Sequence, residues 1–257
     1  MSRACFMVGP GLALLLAACV GTTGGEAVTF RASAAGVTSA TDFTNGLGYH
    51  VVLSRARVYI GAIYLNQSVP TSGGQETSCV LPGTYVAEVF GPLTVDALST
   101  KSQQFRGEGE GIALDARAAE IWLSSGDVNA IDDPTVILDA AGVADKDGTE
   151  FPFEASFTIG KNRLVSSSNP ALPGANPICK QRIVSPIPVD LMLRGGGRLL
   201  LRVDARAFFT SVDFSTVTQA SSEPKLFRFN DSAVTPADIT ARATGMGRKA
   251  RPVPKAL

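Results

Sequence analysis

The stretch Val189-Asp190-Leu191-Met192-Leu193-Arg194-Gly195-Gly196-Gly197-Arg198-Leu199-Leu200-Leu201-Arg202-Val203 carries the clearest structural pattern in the chain. Val189, Leu191 and Leu193 alternate before three consecutive glycines, and Leu199, Leu201 and Val203 alternate after them. A period of two puts each set on one face of a strand, and glycine between two such runs supplies the backbone freedom of a tight turn. The expectation is a β-hairpin with one apolar face.

The same signature recurs outward in both directions. Residues 28–32 (VTFRA) read as a first strand, and residues 50–65 (HVVLSRARVYIGAIYL) as a long β-branched and aromatic one with Gly61 as a kink. Residues 84–90 (TYVAEVF) follow the turn signal Pro82-Gly83, and residues 135–144 and 150–159 flank Asp147-Gly148, a hairpin turn by composition. Residues 112–123 (IALDARAAEIWL) fit a strand and a helix equally well. Near the end, Thr235 suits a helix N-cap with Pro236 behind it, and Gly245 suits the stop. Loops at 67–78 and 166–177 are rich in Ser, Pro, Gly and Asn, and each leads into a cysteine. Roughly eight to eleven short strands with tight turns predict one mostly-β body over 27–245. That body would be a single β-sandwich or irregular β-barrel with a short C-terminal helix.

Charged residues make up 18% of the chain, too few for a disordered polyelectrolyte. The formal net charge is zero, but Arg242, Arg248, Lys249, Arg251 and Lys255 crowd an acid-free end, leaving the body mildly acidic. An acidic body argues against nucleic acid as a partner. Residues 246–257 read as a disordered basic tail that can at most touch anionic headgroups.

The first residues have a different character. Arg3 precedes an apolar run from Cys5 to Leu16, broken by Gly9-Pro10-Gly11 and too short to span a bilayer, which needs about 20 apolar residues. It ends in Leu16-Ala17-Ala18-Cys19, which resembles the lipobox of bacterial lipoproteins. That resemblance covers only these residues and the segment before them. It implies a leader over 1–18 cut before Cys19, acyl chains such as palmitate on Cys19, and a lipid bilayer as first partner. Two or more chains anchor stably where one does not. Residues 19–26 then read as a flexible tether. Val20 stands where an aspartate would retain such proteins at the inner membrane, so the resemblance implies the outer membrane.

Of four cysteines, Cys5 leaves with the leader and Cys19 takes lipid, so Cys79 and Cys179 remain. An oxidising envelope compartment favours a disulfide between them, the alternative being two buried thiols. Closing a loop of about 100 residues contributes on the order of 4–5 kcal/mol by the chain-entropy model.

Little in the sequence points to catalysis. His50 is the only histidine, no Gly-x-Ser-x-Gly elbow is present, and zinc or copper sites draw on several His and Cys ligands. Residues 145–150 (DKDGTE) look like a truncated calcium loop, yet the glycine comes too early and the twelfth position is Ser156. Asp132-Asp133-Pro134 reads as a turn, and residues 107–111 (GEGEG), lacking a Walker lysine, as a flexible turn. Tyr49, Tyr59, Tyr64, Tyr85 and Trp122 suit either sheet packing or a binding platform. The expectation is no catalytic residue, no metal, no cofactor, and a non-enzymatic binding or assembly lipoprotein with an envelope protein or glycan as partner. The alternatives are a periplasmic carboxylate-dependent hydrolase and a surface carbohydrate- or protein-binding lipoprotein. A buried carboxylate pair in a cleft would favour the hydrolase, and an exposed apolar patch the binding module.

Overall fold

Gly61 marks the place where the chain leaves one sheet and enters another. A Cβ there would stand 1.9 Å from the carbonyl oxygen of Ser124, so only glycine lets the backbone turn this close. The computed structural model describes residues 25–69, 83–124, 126–130, 132–160 and 177–229. They are mostly β, arranged as two sheets around a shared core, one sheet curled into a half-barrel. The sandwich or irregular barrel read from the sequence is therefore the fold.

Across the curled sheet run β12 (Ile183–Met192), β9 (Asp115–Trp122), β4 (Ala62–Asn66), β5 (Tyr85–Val89), β8 (Gly109–Ile112), β1 (Ala27–Gly36) and β13 (Gly197–Val203). The two-residue β7 (Gln103–Gln104) also pairs with β1. The second sheet runs β14 (Gln219–Ser222), β15 (Lys225–Phe229), β11 (Thr149–Thr158), β10 (Val136–Lys146), β3 (His50–Ile60) and β2 (Asp42–Thr44). Against β3 also lies β6 (Leu93–Asp96).

Alternation positions the core. In β1, Val28, Phe30, Ala32 and Ala34 are buried while Ala27, Thr29 and Arg31 face water. In β3 the buried residues are Val51 and Leu53, then Ala56, Val58 and Ile60. The parity flips because Ser54 is passed over in the pairing with β10, a bulge that re-aims the second half of the strand. The second sheet's side of the core is aromatic. Phe153 stacks at 5.0 Å on Phe214, 5.5 Å on Phe209 and 5.6 Å on Phe229.

The hairpin β10–β11 forms as expected. Asp147 and Gly148 both have positive φ, 54° and 76°, which is the requirement of a type I′ turn. Residues 112–123 are the end of β8 and all of β9, so the strand reading of that segment holds.

The segment 189–203 departs from expectation. The chain does turn at 193–196, but its two legs do not pair. β12 joins β9 antiparallel, and β13 joins β1 parallel, from Phe30 opposite Gly197 to Gly36 opposite Val203. The legs are thus opposite ends of one sheet. The turn's own amides show why: Leu193 N–H donates to the Leu114 carbonyl and Gly196 N–H to the Thr29 carbonyl. Two different neighbours pull the two legs apart.

A single helical turn, α1 (Cys179–Arg182), was not foreseen. The leader, most of the tether, Cys19, Cys79, the expected C-terminal helix, the basic tail and most of the two Ser/Pro/Gly loops lie outside the described residues. Among the described residues no helix is long and apolar enough to cross a membrane.

Candidate functional site: an open seam in the curled sheet

Because the legs of the 189–203 turn splay, the curled sheet keeps an open seam. A cavity of about 390 Å³ fills it, within the size range of sites for small organic ligands. Its walls are residues 187–191 of β12 and 198–202 of β13, and its floor is Ile63, Leu65, Ala119 and Ile121. Those four floor residues belong to the molecule's main core. The seam therefore reaches down to the apolar core, whose floor residues stay buried beneath it.

Consecutive residues line both walls, inward- and outward-facing alike, so each leg presents its edge as well as one face. Leu199 and Leu201 pack half-buried against the core, while Arg198 and Arg202 stand exposed on either side of them. On the opposite leg, Asp190 bonds to Arg117, which also holds Asp115 at 2.8 Å. Arg202 donates to the Gly36 carbonyl, and neither Arg198 nor Arg202 makes an ion pair among the described residues. The seam's mouth thus has an apolar depth and a cationic rim.

A second, polar feature lies on the opposite parity of the same sheet. Glu120, Tyr64, Glu88, Glu110 and Thr29 form one row across β9, β4, β5, β8 and β1. Glu120 is fully buried, accepting from the Tyr85 hydroxyl at 3.1 Å on both oxygens and from Trp122 Nε1 at 3.3 Å. Tyr64 packs against Trp122, Tyr85 and Phe90 at 4.8 to 5.9 Å. Burial, followed by the charges of Glu88 and Glu120, pushes its phenol above the usual range. A shallow trough of about 460 Å³ beside the row is lined by Tyr85, Glu88, Glu110 and Thr29. Asn66 in β4 is wholly buried, and neither end of its amide has a hydrogen-bond partner among the described residues.

Three of the five aromatics singled out in the sequence, Tyr64, Tyr85 and Trp122, therefore converge. Tyr49 instead lies in the second sheet's core region, donating to Asp213 at 2.6 Å. His50 is exposed at the start of β3, 2.8 Å from Asp42. Cys179 is fully buried at the head of α1. Of residues 107–111, expected as a flexible turn, Gly109, Glu110 and Gly111 instead form most of β8, whose glycines let other groups approach closely. A Cβ on Gly109 would lie 2.3 Å from the Phe30 ring, and one on Gly111 2.5 Å from Ala87 Cβ. Among the described residues no three His, Cys, Asp or Glu side chains gather as a metal site.

Sequence reasoning missed two buried polar anchors. Arg182 donates to the carbonyls of Ile159, Val128 and Ala130 at 2.7 to 3.0 Å. Its burial lowers its pKa, opposed by Asp133 and Asp127. Asn45 donates to the carbonyls of Phe209 and Val212 and accepts from the amides of Leu47 and Tyr49. A lone Arg or Asn beside turn residues has no signal that separates it from a surface one.

In comparisons with known proteins, no protein family, no curated protein and no solved structure matches the chain.

Proposed function

We propose that the chain is an exported lipoprotein, anchored through acylated Cys19 at the outer membrane, that binds a partner at the open seam rather than turning over a substrate. The observation that carries this reading is the seam itself, a cavity of about 390 Å³ between two strands with half-buried Val189, Leu191, Leu199 and Leu201 in its walls and buried core residues at its floor. A cleft with an apolar floor and a few polar and charged groups at its mouth is the ordinary form of a binding site. The anchor and the address rest on Leu16-Ala17-Ala18-Cys19 and Val20. A Cys79–Cys179 bridge belongs to the same reading, since an oxidising compartment favours pairing and Cys179 is wholly buried.

Two measurements test it. Replacing Cys19 with serine abolishes palmitate labelling and releases the protein from membranes; continued labelling refutes the anchor. A photo-crosslinking amino acid at Leu200, in the seam wall, gives an adduct in intact cells, whereas one at Val143, exposed on β10, does not. Equal yields at both sites refute the seam as the binding surface.

One observation favours a hydrolase as the second reading. Glu88, half-buried, and Glu110, exposed, stand directly opposite each other beside the Tyr85 trough, a like-charged pairing that weakens a sheet although it is not the buried pair a hydrolase would be expected to carry. Carboxylate chemistry there requires both acids, so Glu88→Gln would remove it. A Glu88→Gln protein that keeps its Leu200 adduct and its cellular phenotype excludes the trough as the working site.

A further inference from the structure

We infer that the seam takes up an extended peptide segment as an added β-strand, one with apolar residues alternating with acidic ones. This deepens the reading of the seam as the binding site and rests on it.

The argument starts from hydrogen bonding. β12 is paired only with β9 and β13 only with β1, so each leg has one edge without a strand partner among the described residues. Pro188 in the β12 wall has no N–H to offer, which leaves β13 the edge with the full set of donors and acceptors. Both edges border the same cavity. Exposed strand edges template pairing with another chain, and folded proteins ordinarily blunt or cover them. Here two edges of one sheet border a common cavity, and a strand inserted along β13 pairs with its open edge while lying beside β12. An acyl chain would fill the volume yet leave every one of those groups unpaired in an apolar setting, which is unfavourable.

Register and chemistry narrow the occupant. The legs run antiparallel to each other through the 193–196 turn, so an inserted strand meets one leg parallel and the other antiparallel, pairings this sheet already uses. Its inward side chains would land on Ile63, Leu65, Ala119 and Ile121, which have no polar group to offer. Its outward side chains would lie beside Arg198 and Arg202, two cations without an ion pair among the described residues, while the nearby Asp190 is already engaged by Arg117. Apolar inward and acidic outward is the complement. Each wall offers five consecutive residues, so about five to seven residues of partner suffice.

The test uses the full-length, lipidated protein in detergent micelles and a displayed library of ten-residue peptides. Apolar residues are fixed at alternate positions and the others randomised, with a pattern-scrambled library as reference. The expected result is enrichment of the alternating library with Asp or Glu at the randomised positions. Methylating alternate backbone amides of a selected peptide weakens binding roughly a hundredfold, as several backbone bonds are lost together. The double change Arg198→Glu and Arg202→Glu weakens it about tenfold and removes the acidic preference. Because that variant alters only exposed side chains, its far-UV spectrum checks that it folds. No enrichment over the scrambled library, or binding indifferent to amide methylation, overturns the strand. A fluorescent fatty acid that binds the seam and displaces the peptide while methylation has no effect shows a lipid site instead. That outcome leaves the seam a binding site, whereas loss of the Leu200 adduct removes both readings.

Discussion

Arg182 illustrates how much of this fold hangs on single polar side chains. It is 1% exposed, and among the described residues it forms no ion pair; backbone carbonyls of the 127–130 loop and of Ile159 hold its guanidinium instead. Removing it leaves several buried carbonyls without donors, so Arg182→Met is expected to cost about 3 kcal/mol, read as a lower urea midpoint at unchanged slope. Arg182→Lys should recover only part of that, because a compact ammonium cannot reproduce the planar fork. Asp213 acts differently. Hydrogen bonds from Ser215 and from Tyr49 hold its carboxyl below the ordinary 3.8. A depressed folded value means this contribution is complete above the unfolded value and fades as pH falls through the folded one. Stability curves of Asp213→Asn and the parent protein should therefore differ above about pH 4 and converge in stronger acid; a constant gap down to pH 1 would reject the assignment.

At the scale of elements, two glycines make opposite demands. Gly148 has φ of +76° but open space around it, so Gly148→Ala should cost only the conformational penalty of about 1 kcal/mol. Gly61 faces the Ser124 carbonyl at a distance no Cβ can share, so Gly61→Ala must move the corner that joins the two sheets. Thermal melts should show a loss at position 61 several times that at 148, and equal losses would refute the corner. These elements also show what the sequence could reveal. Alternation in 189–203 and the Asp-Gly pair at 147–148 are local signals, and they correctly identified strands and turns. Pairing across the chain is not local. Nothing near Gly196 announces that its amide bonds to Thr29, and that one bond helps convert an expected hairpin into two sheet edges. The seam was therefore invisible in the sequence, although its lining leucines were read as an apolar face. In the polar row, Glu120 had no mark of its own, since a buried carboxylate and a surface one read alike until strand register brings Tyr85 and Trp122 to it.

For the molecule as a whole, the proposed bridge is the most direct test of compartment. Peptide mapping without reductant should recover Cys79 and Cys179 in one linked pair, and Cys79→Ser should lower stability by about 4 kcal/mol if the chain-entropy account holds. Two alkylatable thiols would overturn the bridge. The longest-range pairing in the curled sheet carries a different consequence. Ser33 Oγ donates to the Leu199 carbonyl across 166 positions, within a ladder joining β1 to β13. Synthesis proceeds from the N-terminus, so β1 emerges early and its second edge waits until almost the whole body has been made. During that interval a bare strand is open to wrong neighbours, and formation of non-local sheets is slow. Nascent chains cut short before Gly197 should accordingly aggregate, and holding the unfinished body unfolded until its end appears becomes a requirement of its biogenesis.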